Sequence, residues 1–303
     1  MFKKWIHSFL LFSAFAAVTN VDAKDCSTQF FNGKAPVATT THFNERTTSL
    51  CFEEYALMYS GVTKTPLWTA EFLTNNRIKE ARKLKRQDSF HEEEQIPNAD
   101  RSYLKDYKGS TKNVDIDHSI DRGHMSPNSD FSTYTAQFES FSLANIIPQN
   151  SDNNQNLHEG IESATRKLAT QRERLYVITG PIFDTTANKL NGRVVIPTRI
   201  FKAIVDPSRH EAAAYLTYNK PGMDYQVVSI AELERIVGFD LFPDLPSSIK
   251  NSTMQLPEPT PYKQHSGKDR SEQYHSKHAS NEQTSFSSTP LRNFGKSLQY
   301  LFK

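Results

Sequence analysis

Two strand-like runs late in the chain, residues 200–205 and 212–218, are joined by Asp206-Pro207-Ser208 and little more. That short connection is the strongest constraint on the fold. Parallel neighbours need a crossover of about a dozen residues or more, so strands this close in sequence pair antiparallel. The same grammar occurs earlier. Residues 52–60 and 67–73 mix β-branched, aromatic and aliphatic side chains, and Gly61-Val62-Thr63-Lys64-Thr65-Pro66 lies between them as a turn, which predicts a hairpin. Residues 175–179 read as a strand ending at Gly180-Pro181, and residues 194–196 as another. Helices are legible among the strands. From Asn154 to about Gln171, Leu157, Ile161, Ala164 and Leu168 recur at helical spacing. Ser229 caps a short helix over residues 230–237, which Gly238 ends. The pattern is an α+β fold built on an antiparallel sheet.

The two ends of the chain differ from its middle. Lys3 and Lys4 precede a mostly apolar run over residues 5–18, and Val21-Asp22-Ala23 offers small residues for cleavage. This reads as a signal peptide over residues 1–23, too short for a membrane span. No later segment has the length of apolar sequence that a spanning helix needs, so no stable membrane anchor is expected after cleavage. The two cysteines, Cys26 and Cys51, follow the signal. In an oxidising compartment they pair as a disulfide, stabilising the fold by about 3 kcal/mol on loop-entropy grounds. Periplasmic or secreted localisation follows. Residues 24–50 are polar and read as an arm or loop. From residue 247 to 303 the composition turns polar, with Ser, Gln, Lys, His and Asn dominating residues 263–288. That tail cannot bury enough surface to offset its chain entropy and is expected to be disordered. The domain proper is then residues 24–246.

Net charge is only +2, which neither requires nor excludes a nucleic-acid partner. Binding polyanions takes a local basic groove, not a basic average. One candidate is the run Arg77, Lys79, Arg82, Lys83, Lys85 and Arg86. Such a run is most often a solvated face; it gains meaning only beside a site that binds phosphate.

The densest collection of reactive side chains runs from Asp121 to Glu162. It opens with Asp121-Arg122-Gly123-His124-Met125-Ser126-Pro127, continues through Asn145-Ile146-Ile147-Pro148-Gln149, and closes with Asp152-Asn153-Asn154-Gln155-Asn156 and Glu162. Phosphodiester hydrolysis needs a base for the attacking water and neutralisation of the phosphorane and the leaving oxygen. A neutral imidazole titrating near pH 6.5 suits the first task. Mg²⁺ suits the others, and one or two oxygen ligands hold it because it keeps several waters. His124 supplies the base and Asn154 the ligand. Gly123 lets the backbone turn sharply beside His124. Residues 154, 158 and 162 share a helix face, so Glu162 can face the same ion through a water. Arg166, four residues on, can pair with Glu162 and is also placed to reach a phosphate.

With these motifs in this order, the chain resembles the DNA/RNA non-specific endonuclease family, the ββα-metal or His-Me finger nucleases. Weaker support comes from Thr65-Pro66-Leu67-Trp68, Arg86-Gln87-Asp88-Ser89-Phe90 and Thr179-Gly180-Pro181-Ile182-Phe183. The likeness spans roughly residues 50–245. It implies a central antiparallel sheet flanked by helices, with the site on a strand–loop–helix unit. It also implies a Mg²⁺ cofactor, replaceable by Mn²⁺ or another divalent cation. DNA and RNA would be cut without sequence preference to 5′-phosphorylated oligonucleotides, because phosphate rather than base edges is read. By position, His124 would be the general base, Asn154 the metal ligand and Glu162 the group orienting a metal-bound water. Arg86 would stabilise the phosphorane, Arg122 and Arg166 would bind phosphate, and Asp121 would position its neighbours. One departure stands out: family members commonly carry Trp where this chain has His158.

Two other readings compete. One is a catalytically inactive nucleic-acid-binding protein, against which the intact His124 and Asn154 argue. The other is a nuclease toxin delivered to other cells. An inhibitor protein and a homodimer are left open by the sequence.

Overall fold

A computed structural model describes residues 25–40, 45–108, 119–184 and 187–261; the proposed signal segment and most of the polar tail lie outside them. The strands in chain order are β1 (Val37–Ala38), β2 (Thr47–Cys51), β3 (Tyr55–Ser60), β4 (Thr65–Thr74), β5 (Ile120–His124), β6 (Ile146–Asn150) and β7 (Arg174–Ile182). They continue with β8 (Lys189–Leu190), β9 (Val194–Val195), β10 (Arg199–Asp206), β11 (Glu211–Tyr218), β12 (Tyr225–Val228) and β13 (Phe239–Asp240). The helices are α1 (Asn75–Ala81), α2 (Tyr134–Ser140), α3 (Glu159–Arg172), α4 (Ile230–Val237) and α5 (Ser247–Lys250). Seven strands form the main sheet in the order β12-β11-β10-β7-β4-β3-β2. Every pairing in it is antiparallel. The α+β class and the two hairpins expected from the short connections are therefore present.

Strand alternation decides which helix covers which face. Ala203, Val205, Ala212, Ala214 and Leu216 join Leu233 and Ile236 of α4 in one cluster. Their neighbours Ile204, Ala213 and Tyr215 join Leu157, and Ile161 and Leu168 of α3, in another. Helix α3 therefore packs on the opposite side of the sheet from α4. On the α3 side the strands are not apolar throughout. Thr69, Glu71, Thr179 and Lys202 share that face by alternation, and all are buried. A polar layer thus lies within the core. Lys202 donates to Thr179 Oγ1 at 2.8 Å.

Several local expectations need correction. Residues 24–50 are not all arm, because β2 is the outermost strand of the sheet. The Cys26–Cys51 disulfide is present, with Cα atoms 5.7 Å apart, and ties the N-terminal segment to the end of β2. Strand β7 does not stop at Gly180-Pro181 but runs to Ile182. Past Thr179 it pairs with β10 alone, so a proline that cannot donate is tolerated there. Arg77 is no surface cation: it is buried, reaching Glu54 at 3.5 Å and Glu71 at 3.6 Å. Residues 251–261 are carried by the domain. Met254 and Leu256 pack into the α3-side core, and the Tyr215 hydroxyl donates to the Pro257 carbonyl at 2.5 Å.

Candidate active site

Strands β5 and β6 form a ribbon of their own, with Asp121 opposite Gln149 and Gly123 opposite Ile147. Gly123 does not make a sharp turn. It lies inside β5, and any Cβ there would overlap the Gln149 side chain. Gln149 is fully buried, and its Nε2 donates to Asn153 Oδ1 at 2.8 Å. Asn153 Nδ2 donates in turn to the Tyr218 carbonyl at 3.0 Å. The missing side chain at Gly123 thus makes room for the group that anchors the next helix. Asn145 fastens the other end of the ribbon: its Oδ1 accepts from the Ser126 amide at 2.9 Å, and its Nδ2 donates to the Ser126 carbonyl at 2.8 Å.

His124 ends β5 packed against two phenyl rings that also touch each other. Its ring centroid lies 5.3 Å from Phe90 and 5.0 Å from Phe141, and those two rings meet edge to face at 4.9 Å. Each ring also carries a cation. The Arg122 guanidinium sits 4.0 Å from the Phe90 centroid and that of Arg86 5.3 Å from the Phe141 centroid. His124 Nε2 is buried with no hydrogen-bond partner among the described residues. Burial and the Arg86 charge, with Arg122 adding and Asp88 opposing, push the imidazole down to about 3, so it is neutral at pH 7.

Asn154 sits in a π-helical turn, Asn153–His158, that leads into α3. Its Nδ2 donates to Asp121 Oδ2 at 2.9 Å, as does Gln155 Nε2, while Ser151 Oγ donates to Asp121 Oδ1 at 2.7 Å. Asp121 therefore fixes the Asn154 amide by its nitrogen end and leaves the Oδ1 end for another partner. That oxygen, with Glu162 on the same cleft, is a hard donor set that fits Mg²⁺.

Glu162 is buried, 3.4 Å from His158 Nε2 and 3.8 Å from Arg166. Burial and Glu159 raise its carboxyl well above the usual range, against Arg166 and Lys202. His158 is also buried, and burial with Lys202 and His124 nearby pushes it down to about 3. Residues 154 and 162 line the cleft, but 158 does not. The π-turn winds wider than an α-helix, so the common face expected for 154, 158 and 162 is not kept.

A cleft of about 660 Å³ gathers Arg86, Arg122, His124, Asn154 and Glu162, with Asp121, Asn128 and Glu159 also on its lining. Arg166 does not line it. Its guanidinium meets Asp130 at 3.1 Å and Glu159 at 2.9 Å. Residues 33–248 match the model of the DNA/RNA non-specific endonuclease family.

The chain belongs to the DNA/RNA non-specific endonuclease family.

Among its relatives, mitochondrial nuclease EXOG of Danio rerio is 31% identical over 217 residues, covering 64% of this chain and 60% of that protein. Nuclease C1 of Cunninghamella echinulata is 30% identical over 214 residues, covering 64% and 82% respectively. The fold is similar to that of a chain in the crystal structure of the EndoG/EndoGI complex, with a TM-score of 0.58 and 22% identity over 68% of this chain and 92% of that one. Within this endonuclease domain, sequence reasoning missed Phe141 and the anchoring role of Gln149; Asp121, expected to position its neighbours, holds Asn154. Gln149 lay in the Asn145–Gln149 motif. Phe141 carried no signal beyond an aromatic residue shortly before Asn145.

Proposed function

We propose that the protein is an exported, Mg²⁺-dependent non-specific endonuclease that hydrolyses DNA and RNA to 5′-phosphorylated oligonucleotides. One observation carries the reading. Asp121 binds the nitrogen end of Asn154, on a cleft that also holds a neutral histidine and two exposed arginines. Asn154 Oδ1 would hold the ion directly and Glu162 through a water. Mn²⁺ or another divalent cation would substitute. When bound, the ion neutralises the phosphorane and the departing 3′-oxygen.

The chain's own residues supply the rest. Arg86 and Arg122, each laid on a phenyl ring, grip the scissile phosphate. The phosphate offsets the two positive charges that depress His124, and so raises the basicity of the imidazole as substrate arrives. Water adds to phosphorus as His124 takes its proton, and the P–O3′ bond breaks; the phosphate stays on the 5′-oxygen and the departing 3′-oxygen takes a proton from water to become a 3′-hydroxyl. Arg166, engaged with Asp130 and Glu159, positions Glu162 rather than substrate. The disulfide and the apolar N-terminal run support export to the periplasm or beyond. Among the described residues no helix is long and apolar enough to cross a membrane.

The test is digestion of supercoiled plasmid and total RNA by the mature chain. Both should be degraded with Mg²⁺, both spared by EDTA, and the products should carry 5′-phosphates. Intact plasmid and RNA at high enzyme and Mg²⁺ would sink the hydrolase reading.

A further inference from the structure

A second cavity, of about 540 Å³, adjoins the catalytic cleft and shares Arg86, Asp121, Arg122 and Asn154 with it. The two arms differ in chemistry. Beyond the shared residues, the catalytic arm is lined by polar groups such as Asn128, Ser129, Gln155 and Asn156. The second arm is walled by Phe90, Leu104, Tyr107 and Ile120, with the exposed Lys108 beside them. Tyr107 and Ile120 are buried members of a satellite core, on which Phe90 and Leu104 pack half-buried.

We propose that this second arm is a nucleoside subsite, taking the base and sugar next to the scissile phosphate. The inference rests on the nuclease reading and deepens it. A sugar–phosphate backbone asks for cations and amide donors, not for an apolar wall. A nucleobase has two apolar faces, and Arg guanidinium planes and aliphatic or aromatic walls receive them. Arg122 is already held over the Phe90 ring, 4.0 Å from its centroid, where the two arms meet. Lys108 has no ion pair among the described residues and adds a cation for the adjoining backbone. Phe90, Leu104 and Ile120 have no side-chain hydrogen-bonding groups and the Tyr107 hydroxyl oxygen is itself buried, so this wall contacts base faces and ignores base edges. Cleavage should therefore depend on a base being present, yet hardly on which base it is.

End-labelled single-stranded oligonucleotides cut under single-hit conditions test this. The cleavage rate at one bond is compared when the nucleoside on its 5′ or 3′ side is normal or an abasic tetrahydrofuran residue. On one side, loss of the base should slow cleavage about tenfold, the scale of one stacked base. Swapping among the four bases there should change the rate less than about threefold. Leu104→Trp, which fills the arm, should collapse the base-to-abasic ratio to about one. Should that variant fail to fold by circular dichroism, Leu104→Ala should lower the same ratio. A ratio near one on both sides in the wild type overturns the subsite. So does a ratio undiminished in a folded Leu104 variant. Failure to cut any oligonucleotide sinks the nuclease reading itself, whereas cutting that is indifferent to the base sinks the subsite alone.

Discussion

Arg86 and Arg122 stand on the wall of the cleft; Arg77 and Arg166 stand in the layer beneath it. The side chain of Arg86 is 55% exposed, and its ion-pair partner, Asp88, is 65% exposed. Arg122 lies on Phe90. Arg77 and Arg166 are 8% and 12% exposed and are surrounded by Glu54, Glu71, Asp130, Glu159 and Glu162. The wall rests its cations on phenyl faces, and Arg86 commits one N–H, its Nε, to the exposed Asp88, which leaves the forks open to an anion. The layer spends its cations on carboxylates, and they cannot turn to a ligand without abandoning buried charge. The histidines divide the same way: His124 faces the cleft, and His158 backs Glu162. Residue type alone does not separate an arginine open to a ligand from one held in buried ion pairs. What surrounds it does.

The largest effect that sharpens this contrast is on the wall. His124→Ala should lower kcat at least ~10³-fold, since proton transfer and base geometry are lost together. Arg166→Ala should instead cost about 3 kcal/mol of stability in urea unfolding, because Asp130 and Glu159 are left without their cation. Arg122→Ala should leave stability within about 0.5 kcal/mol. It should raise KM for polynucleotide and reduce the slope of log(kcat/KM) against log[salt] by about 0.9, one phosphate contact. If Arg166→Ala unfolds at the wild-type urea midpoint while its salt slope falls, the two sets of arginines have been assigned the wrong way round.

The sequence made the wall more legible than the layer. Short connections announced the antiparallel strands, and the 3–4 spacing of Leu157, Ile161, Ala164 and Leu168 announced the helix. His124, Asn154, Glu162 and Arg86 drew attention through ordered motifs, and the cleft collects all four. What stayed hidden depends on contacts between distant segments. Gly123 looked like a turn because the side chain that fills the space beside it, that of Gln149 two residues along β6 from its partner, is invisible from β5 alone. Arg77 looked like part of a basic surface because Glu71 and Glu54 arrive from β4 and from the loop before β3. The polar layer of Thr69, Glu71, Thr179 and Lys202 comes from three strands, each of which reads as ordinary core on its own.

That layer makes the smallest prediction, a near-flat stretch in the dependence of stability on pH. His124 and His158 are pushed down to about 3 by burial. As pH falls from about 6.5 towards 3, the unfolded chain takes up protons that the folded one refuses, so stability falls. Glu71 is raised to about 8 by burial, with Asp130 adding and Lys202 and Arg77 opposing, and Glu162 is raised as well. As pH rises from about 4.5 towards 8, the unfolded carboxyls ionise first, and stability falls again. Between about 4.5 and 6.5 the two histidines and the two carboxyls oppose each other and the curve should be nearly level. Urea unfolding across this range measures it. His158→Gln removes one histidine, so stability should then decline with rising pH already inside that window. A wild-type curve that climbs between about pH 4.5 and 6.5 and then stays level to pH 8 would mean that Glu71 and Glu162 are ionised in the fold. The layer would then be a set of charges held against burial, and its contrast with the wall would rest on ion pairing alone.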